Sequence, residues 1–382
     1  MQPDSVIGAA WPSLLSRLPA SLDLAASARE CRALLRRRGV RDAETLLRLV
    51  LSYAACGLSL RGTAAWAETA ALASLSDVAV LNRLRGSAGW LATIVGAILS
   101  ARVREPAGVG LGFRLRVVDA TTLSAPGSAG VDWRLHVAYD LKTQQTAAVE
   151  LSESSGAESL RRFAWQRGDL VLGDRGYAKA GDLAAVAEAG ADFIVRIGWN
   201  ALRLRTPDGA AFDLFAALDA LPEGGIATTE VSVALNRAGT ERLPARLVML
   251  RKPADQAEAS RRKARRKGRR QGKATQRNTL KAAGYVLVLT SLDGARASAT
   301  DVLALYRLRW QIELVFKRLK SLLDLAALPA KDPDLARSWI YAKLIVALLL
   351  EDVTRDALDS PPWAEPLATP NDLDLATPAR AA

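Results

Sequence analysis

The sequence predicts an α/β protein: a mixed sheet core interrupted by a β-rich insertion and preceded by an all-helical N-terminal domain. Three observations predict it. Residues 1–105 are rich in Ala, Leu and Arg, have no Pro between Pro19 and Pro106, and repeat apolar residues at three and four. From residue 111 the period changes to two, in runs of β-branched and apolar residues broken by Gly and Asp. Between 199 and 283 further strand-like runs stand beside a dense block of positive charge.

In the helical part, GLSLRGTAAWAE at 57–68 places Gly57 and Ser59 just before an apolar-periodic run. This is the order of a turn and second helix in a helix-turn-helix, and equally of an ordinary helix hairpin. SDVAVLNRLRGSAGWL at 76–91 predicts a short amphipathic helix that offers Arg83 and Arg85 to phosphate. In the core, FRLRVV at 113–118 runs into Asp119, and DWRLHVAYDL (132–141) and TAAVELS (146–152) read as two antiparallel partners. A helix is expected over 157–164, a buried strand over DLVLGDRGY ending at Asp174, a helix over 179–189 and a strand over ADFIVRI (191–197). Strands with intervening helices in this order fit a mixed sheet. The insertion offers IATTEVSVAL (226–235) and LPARLVMLRK (243–252) as strands, then a basic helix. GYVLVLTSL (284–292) resumes a buried strand, a helix begins near Ser298, and 331–358 suggests a pair of helices. The expected domains are therefore 1–105, 106–198, 199–283 and 284–358, with a flexible tail over 359–382.

The chemistry is narrowed by what is scarce. Cys31, Cys56 and His136 are the only Cys and His, too few for a four-ligand zinc site. No nucleophile-elbow Ser accompanies His136, for which a structural role is the plainer reading. Carboxylates, Tyr and Lys remain, and carboxylates select hard cations such as Mg²⁺ or Mn²⁺. The apolar stretches Trp90 to Leu99 and Leu344 to Leu350 are too short to span a bilayer, and no signal-like segment opens the chain. A cytoplasmic protein without a membrane partner is expected.

The net charge is +12, and residues 251–281 hold thirteen Lys/Arg against Asp255 and Glu258. Nearly the whole excess lies there, around RRKARRKGRRQGK at 261–273, which contains Arg261, Arg262, Lys263, Arg265 and Arg266. Such density attracts polyanions, with a steep dependence on salt, or else it solvates a linker.

Residues 306–320, YRLRWQIELVFKRLK, are the most specific stretch. On one continuous helix Tyr306, Arg309, Glu313, Lys317 and Lys320 fall in a stripe about 80° wide. Leu308, Ile312, Val315, Phe316, Leu319 and Leu322 gather on a second face. A lone carboxylate among four phosphate-type donors suggests a metal ligand beside a nucleic-acid backbone; a basic amphipathic helix with an incidental Glu is the plainer alternative. Asp119 and Asp174 each end a buried-looking strand, where a carboxylate needs a metal, a cation or solvent. Gly173 and Gly176 leave the backbone around Asp174 open to a close ligand.

The spacing Tyr306, two residues, Arg309, three residues, Glu313, six residues, Lys320 resembles the Y–R–E–K signature of a group of bacterial insertion-sequence DDE transposases. The similarity extends over about residues 50–350, through WRLHVAYDL, the DRGY of 174–177 and RSWIYAKLIVALLL. It implies a ribonuclease-H-like core with Asp119, Asp174 and Glu313 as catalytic metal ligands for two Mg²⁺ or Mn²⁺ ions. It also implies phosphate contacts by Tyr306, Arg309, Lys317 and Lys320, with Arg175 and the 261–266 cations as further DNA-binding candidates. The implied function is cutting double-stranded DNA at terminal inverted repeats and joining it to target DNA, by a homodimer that associates with the bacterial nucleoid. A metal-dependent nuclease or resolvase on the same core, or a DNA-binding regulator without catalysis, is the alternative.

Overall fold

A computed structural model of the chain describes residues 11–102, 112–321 and 323–359. The expected boundary at 105/106, Leu322 and the expected tail from 360 onward lie outside the described residues. Six helices come first: α1 (Trp11–Leu15), α2 (Leu24–Glu30), α3 (Ala43–Cys56), α4 (Leu60–Thr69), α5 (Asp77–Arg85) and α6 (Ala88–Ala101). Their starts are written locally: the side chains of Asp23, Asp42, Ser59 and Ser76 accept from backbone N–H groups of the first turn. Gly57 ends α3 at φ 62°, a left-handed position that glycine occupies at little cost. Ser59 then opens α4, giving a three-residue turn between two helices.

Strands β1 (Arg114–Leu123), β2 (Trp133–Asp140) and β3 (Gln145–Glu153) follow, then β4 (Asp169–Gly173), α7 (Ala180–Glu188) and β5 (Asp192–Arg196). The expected helix over 157–164 is instead a single 3-10 turn at Leu160–Arg162. Its backbone is claimed from outside: Asp182 accepts from the Leu160 N–H at 2.9 Å, and the Trp165 indole donates to the Leu160 carbonyl at 2.8 Å. Next come β6 (Leu204–Arg205), α8 (Leu214–Asp219), β7 (Ile226–Ala234), β8 (Arg242–Arg251), α9 (Ala254–Arg270), α10 (Arg277–Ala282) and β9 (Tyr285–Thr290). The chain closes with α11 (Ala299–Arg307), a 3-10 turn at Leu308–Trp310, α12 (Gln311–Ser321) and α13 (Pro333–Asp359). The expected helix pair over 331–358 is therefore one helix. Pro333 sits in its first turn, Asp332 accepts from the Leu335 N–H, and no Gly or Pro interrupts the 27 residues.

Among the described residues nine strands form one mixed sheet in the order β3-β2-β1-β4-β5-β9-β8-β7-β6. Strands β1, β4 and β5 run parallel; β2 pairs antiparallel with β1 and β3 antiparallel with β2, and β9, β8 and β7 extend the far edge antiparallel. Alternation divides each strand between two cores. Val117, Leu170, Leu172, Ile194, Val248 and Val288 face the N-terminal helices, α12 and α13. Val118, Val171, Phe193, Val195, Leu247 and Leu289 face α7 and α8. The N-terminal helices thus share a core with the sheet, chiefly through α3, α5 and α6 against α13. Arg102 ties the two together, pairing with Glu351 at 2.9 Å and Asp352 at 3.0 Å. Arg83 and Arg85 are not left for phosphate: Arg83 donates to the carbonyls of Arg36 and Arg38, and Arg85 pairs with Asp332 at 2.8 Å.

Candidate active site

The site is built where β4 ends beside the middle of β1: Asp119, expected to end its strand, lies inside β1, whose pairing with β2 carries on to Leu123. The parallel register of β1 and β4 runs from Arg114 with Asp169 to Val117 with Leu172. Two residues further along each strand the same offset reaches Asp119 and Asp174. Val117 packs on the core that α12 shares and Val118 on the opposite one, so Asp119 returns to the α12 side. Asp119 accepts from the Ala120 N–H at 2.8 Å, and Asp174 accepts from the Gly176 N–H at 2.8 Å in the turn that carries Arg175 and Tyr177.

The third acid arrives on the signature helix, which is broken. A 3-10 turn at Leu308–Trp310 separates α11 from α12, so the stripe of five side chains spans two helices rather than one. Ile312, Val315, Phe316 and Leu319 are buried, as their face predicts, and hold α12 against the sheet. Glu313 keeps 61% of its side chain exposed and accepts from Arg309 at 3.0 Å. The same guanidinium reaches Asp119 at 3.9 Å, so Arg309 links the two acids. Tyr306 is half-buried beside Arg309. Lys317 is exposed and Lys320 half-buried.

Electrostatics distinguish the acids. Burial pushes the Asp119 carboxyl up to about 6, helped by the charges of Asp174 and Glu158 and opposed by the Ala120 N–H and Arg309. Glu158, which no sequence pattern singled out, is itself raised by burial and then by Asp174. His136 is fully buried on β2, directly across from Ala120 of β1, with Nε2 2.9 Å from the Ser152 hydroxyl. Burial, then Arg162 and Arg134, press it down to about 4, so it is neutral at pH 7. It is no general base placed against the acids.

Beside the acids lies a group of cations that sequence reading found only in part. Arg175 is exposed in the Asp174 turn; Arg196 ends β5 and buries its Nε without a hydrogen-bond partner. Lys252, just after β8, is pushed down to about 8 by burial and then by Arg196 and Arg175. The end of the ADFIVRI strand was the available signal for Arg196; nothing local marked Lys252. Of the aromatic rings nearby, Trp199 is engaged with Thr279 and Phe215, whereas Trp310 is 48% exposed.

The basic block forms α9, whose only buried residue is Ala257. Arg261 and Arg265 are held by Glu258 at 3.5 and 3.1 Å. Arg262, Lys263, Arg266 and Lys267 are exposed.

No three His, Cys, Asp or Glu among the described residues already converge on one point. The donor chemistry nevertheless suits a hard divalent cation: Asp119 is half-buried next to like charges, an arrangement that favours a counter-charge.

A family profile described as Transposase DDE domain matches residues 110–349. The InsL protein of insertion sequence element IS186A from Escherichia coli K12 is 43% identical over 355 residues, covering 92% of this chain and 96% of its own. The transposase for insertion sequence element IS421 from Escherichia coli is 43% identical over 356 residues with the same coverage. A piggyBac transposase synaptic complex with hairpin DNA superposes over 91% of this chain and 74% of its own at 8% identity, with a TM-score of 0.45. Among the described residues no single helix is long and apolar enough to cross a membrane.

Proposed function

This chain belongs to the DDE transposase family, enzymes of DNA cleavage and strand transfer, and from that premise we propose that Asp119, Asp174 and Glu313 are its catalytic carboxylates. The observation that carries the assignment is the arrangement where β4 ends beside β1. Asp119 and Asp174 stand at matching positions on adjacent parallel strands, and Arg309 joins Asp119 to Glu313. The strand order 3-2-1-4-5, antiparallel for the first three and parallel for the rest, supports a ribonuclease-H-like core.

When bound, two divalent cations supply the Lewis acidity that activates an attacking hydroxyl and steadies the leaving oxygen of an in-line phosphodiester displacement. The residues that would hold them are Asp119, Asp174 and Glu313. Arg309 keeps Glu313 turned aside while no DNA is present; a phosphate that draws the guanidinium away frees both carboxylates it bridges. Tyr306, Arg175 and Arg196 line the approach and fix the scissile strand by its phosphates, while Lys317 and Lys320 hold backbone further along α12. Trp310 offers an exposed ring for a displaced base. His136, neutral and bonded to Ser152, supports β2 against β3 and transfers no proton.

The α3–α4 segment and the exposed face of α9 extend the contact to the terminal inverted repeats. Recognising an end demands more surface than a cutting site provides. Two ends are held together by a homodimer, acting on nucleoid DNA in the bacterial cytoplasm. The test is incubation with a duplex carrying the element's own ends and with a target plasmid, in Mg²⁺, Mn²⁺ or EDTA. Metal-dependent breaks at the element boundary followed by joined products are expected. Breaks without joining would favour a nuclease, and binding without breaks a regulator.

A further inference from the structure

Three acids surround the end of β4, and only two of them have a role so far. Glu158 lies between the 3-10 turn at Leu160 and β3, held by backbone rather than by its carboxylate: Lys179 donates to its carbonyl oxygen. The carboxylate itself reaches across to the Asp174 turn. A Cβ on Gly176 would stand 1.8 Å from Glu158 Oε2 and 3.2 Å from Asp174 Oδ1, so both carboxylates press on the same face of that glycine. Residue 176 must therefore lack a side chain for Glu158 to stay where it is. Among the described residues no hydrogen bond or salt bridge engages the Glu158 carboxylate, and Arg134 and Lys179 act on it only as nearby charges.

Tyr177 gives an independent sign that something belongs among these acids. Its ring is fully buried, and its hydroxyl has no hydrogen-bond partner. The charges acting on it are Asp119, Glu158 and Asp174, then Arg134. A buried hydroxyl without an acceptor is uncommon and costly. Three carboxylates drawn together around a cation would present an acceptor oxygen to it.

We propose that Glu158 is a fourth carboxylate of the active site: with Asp119 and Asp174 it holds a divalent cation in the DNA-free protein, before Glu313 leaves Arg309. The proposal rests on the reading of Asp119 and Asp174 as metal ligands. It assigns the two glutamates to different stages, Glu158 to the resting protein and Glu313 to the DNA complex. Glu313 is committed to Arg309 at 3.0 Å and largely in solvent, whereas Glu158 already shares the Gly176 face with Asp174.

The experiment is a titration of the DNA-free full chain with Mn²⁺, reading free Mn²⁺ by electron paramagnetic resonance. Wild type is compared with Glu158→Gln, Glu158→Ala, Asp174→Asn and Glu313→Gln, each checked for fold by circular dichroism. The Ala variant guards against a glutamine that still lends its amide oxygen. Expected are one strong site in wild type, affinity weaker by about tenfold or more in Asp174→Asn and in Glu158→Ala, and near-wild-type binding in Glu313→Gln. Wild-type affinity in both Glu158 variants, with binding lost in Asp174→Asn, overturns the role of Glu158 and leaves the aspartate assignment standing. No Mn²⁺ site in the DNA-free wild type overturns the proposal too, while cleavage that still needs Asp174 would keep the proposed function intact. Full binding by Asp174→Asn defeats both.

Discussion

The exposed face of α9 gives a prediction whose size follows from which cations Glu258 holds. Arg262, Lys263, Arg266 and Lys267 are exposed, whereas Arg261 and Arg265 are both held by Glu258. Each phosphate contact on duplex DNA contributes about 0.9 to the slope of log affinity against log salt. Replacing these four cations with Gln should therefore flatten that slope by about 3 to 4, provided each meets a phosphate. Over a fourfold rise in salt that is a change of about two orders of magnitude in relative affinity. Replacing Arg261 and Arg265 instead should flatten it by about 1 at most, because their guanidinium groups are already committed to Glu258. Fluorescence anisotropy of a labelled duplex across a NaCl series measures both. Stability should hardly change, since Gln is nearly as good a helix former as Lys or Arg and α9 buries only Ala257. An unchanged slope in the fourfold variant would refute the assignment of α9 to DNA. Equal effects in the two variants would refute the distinction between the held cations and these four.

Two further predictions concern pH. His136 has a folded pKa of about 4, below its unfolded value, so the stability it contributes is complete above about 6.5 and is lost as pH falls toward 4. Between pH 7 and pH 5 this amounts to about 2 kcal/mol, seen as a fall in urea-unfolding free energy that His136→Gln should largely remove. Asp119 has the opposite sign: its folded pKa, about 6, is above the unfolded value, so ionisation at pH 7 costs stability. Asp119→Asn should stabilise the metal-free protein by about 1–3 kcal/mol at pH 7 while abolishing cleavage. Wild-type Mn²⁺ affinity should drop as pH falls through about 6.

Much of this was legible because it is written in local chemistry. The Asp174 strand end, the burial of Ile312, Val315, Phe316 and Leu319, and the helix over the basic block all follow from periodicity and spacing, whereas Asp119 lies inside β1 because pairing with β2 carries that strand on to Leu123. The departures come from contacts between distant residues. Trp165 and Asp182 take the backbone groups that a helix over 157–164 would have used. Arg83 and Arg85 look available until the carbonyls of Arg36 and Arg38 and the Asp332 carboxylate meet them. The single helix α13 reflects a missing signal, because no breaker follows Pro333 before the helix ends. Glu158, Arg196 and Lys252 stood outside any motif: their neighbours come from β4, β5 and β8, brought together by sheet order. Spacing along the chain carries no record of that.

The central claim is that three carboxylates from separate elements perform one reaction. Its most direct test is cleavage of a fragment bearing the element's ends by wild type, Asp119→Asn, Asp174→Asn and Glu313→Gln, with end binding measured in the same preparations. Each variant is expected to bind ends as wild type does and to lose cleavage by several orders of magnitude. Near-normal cleavage by any one of them would remove that residue from the site. If Glu313→Gln were the one that cleaved, the link through Arg309 would be a surface ion pair and nothing more.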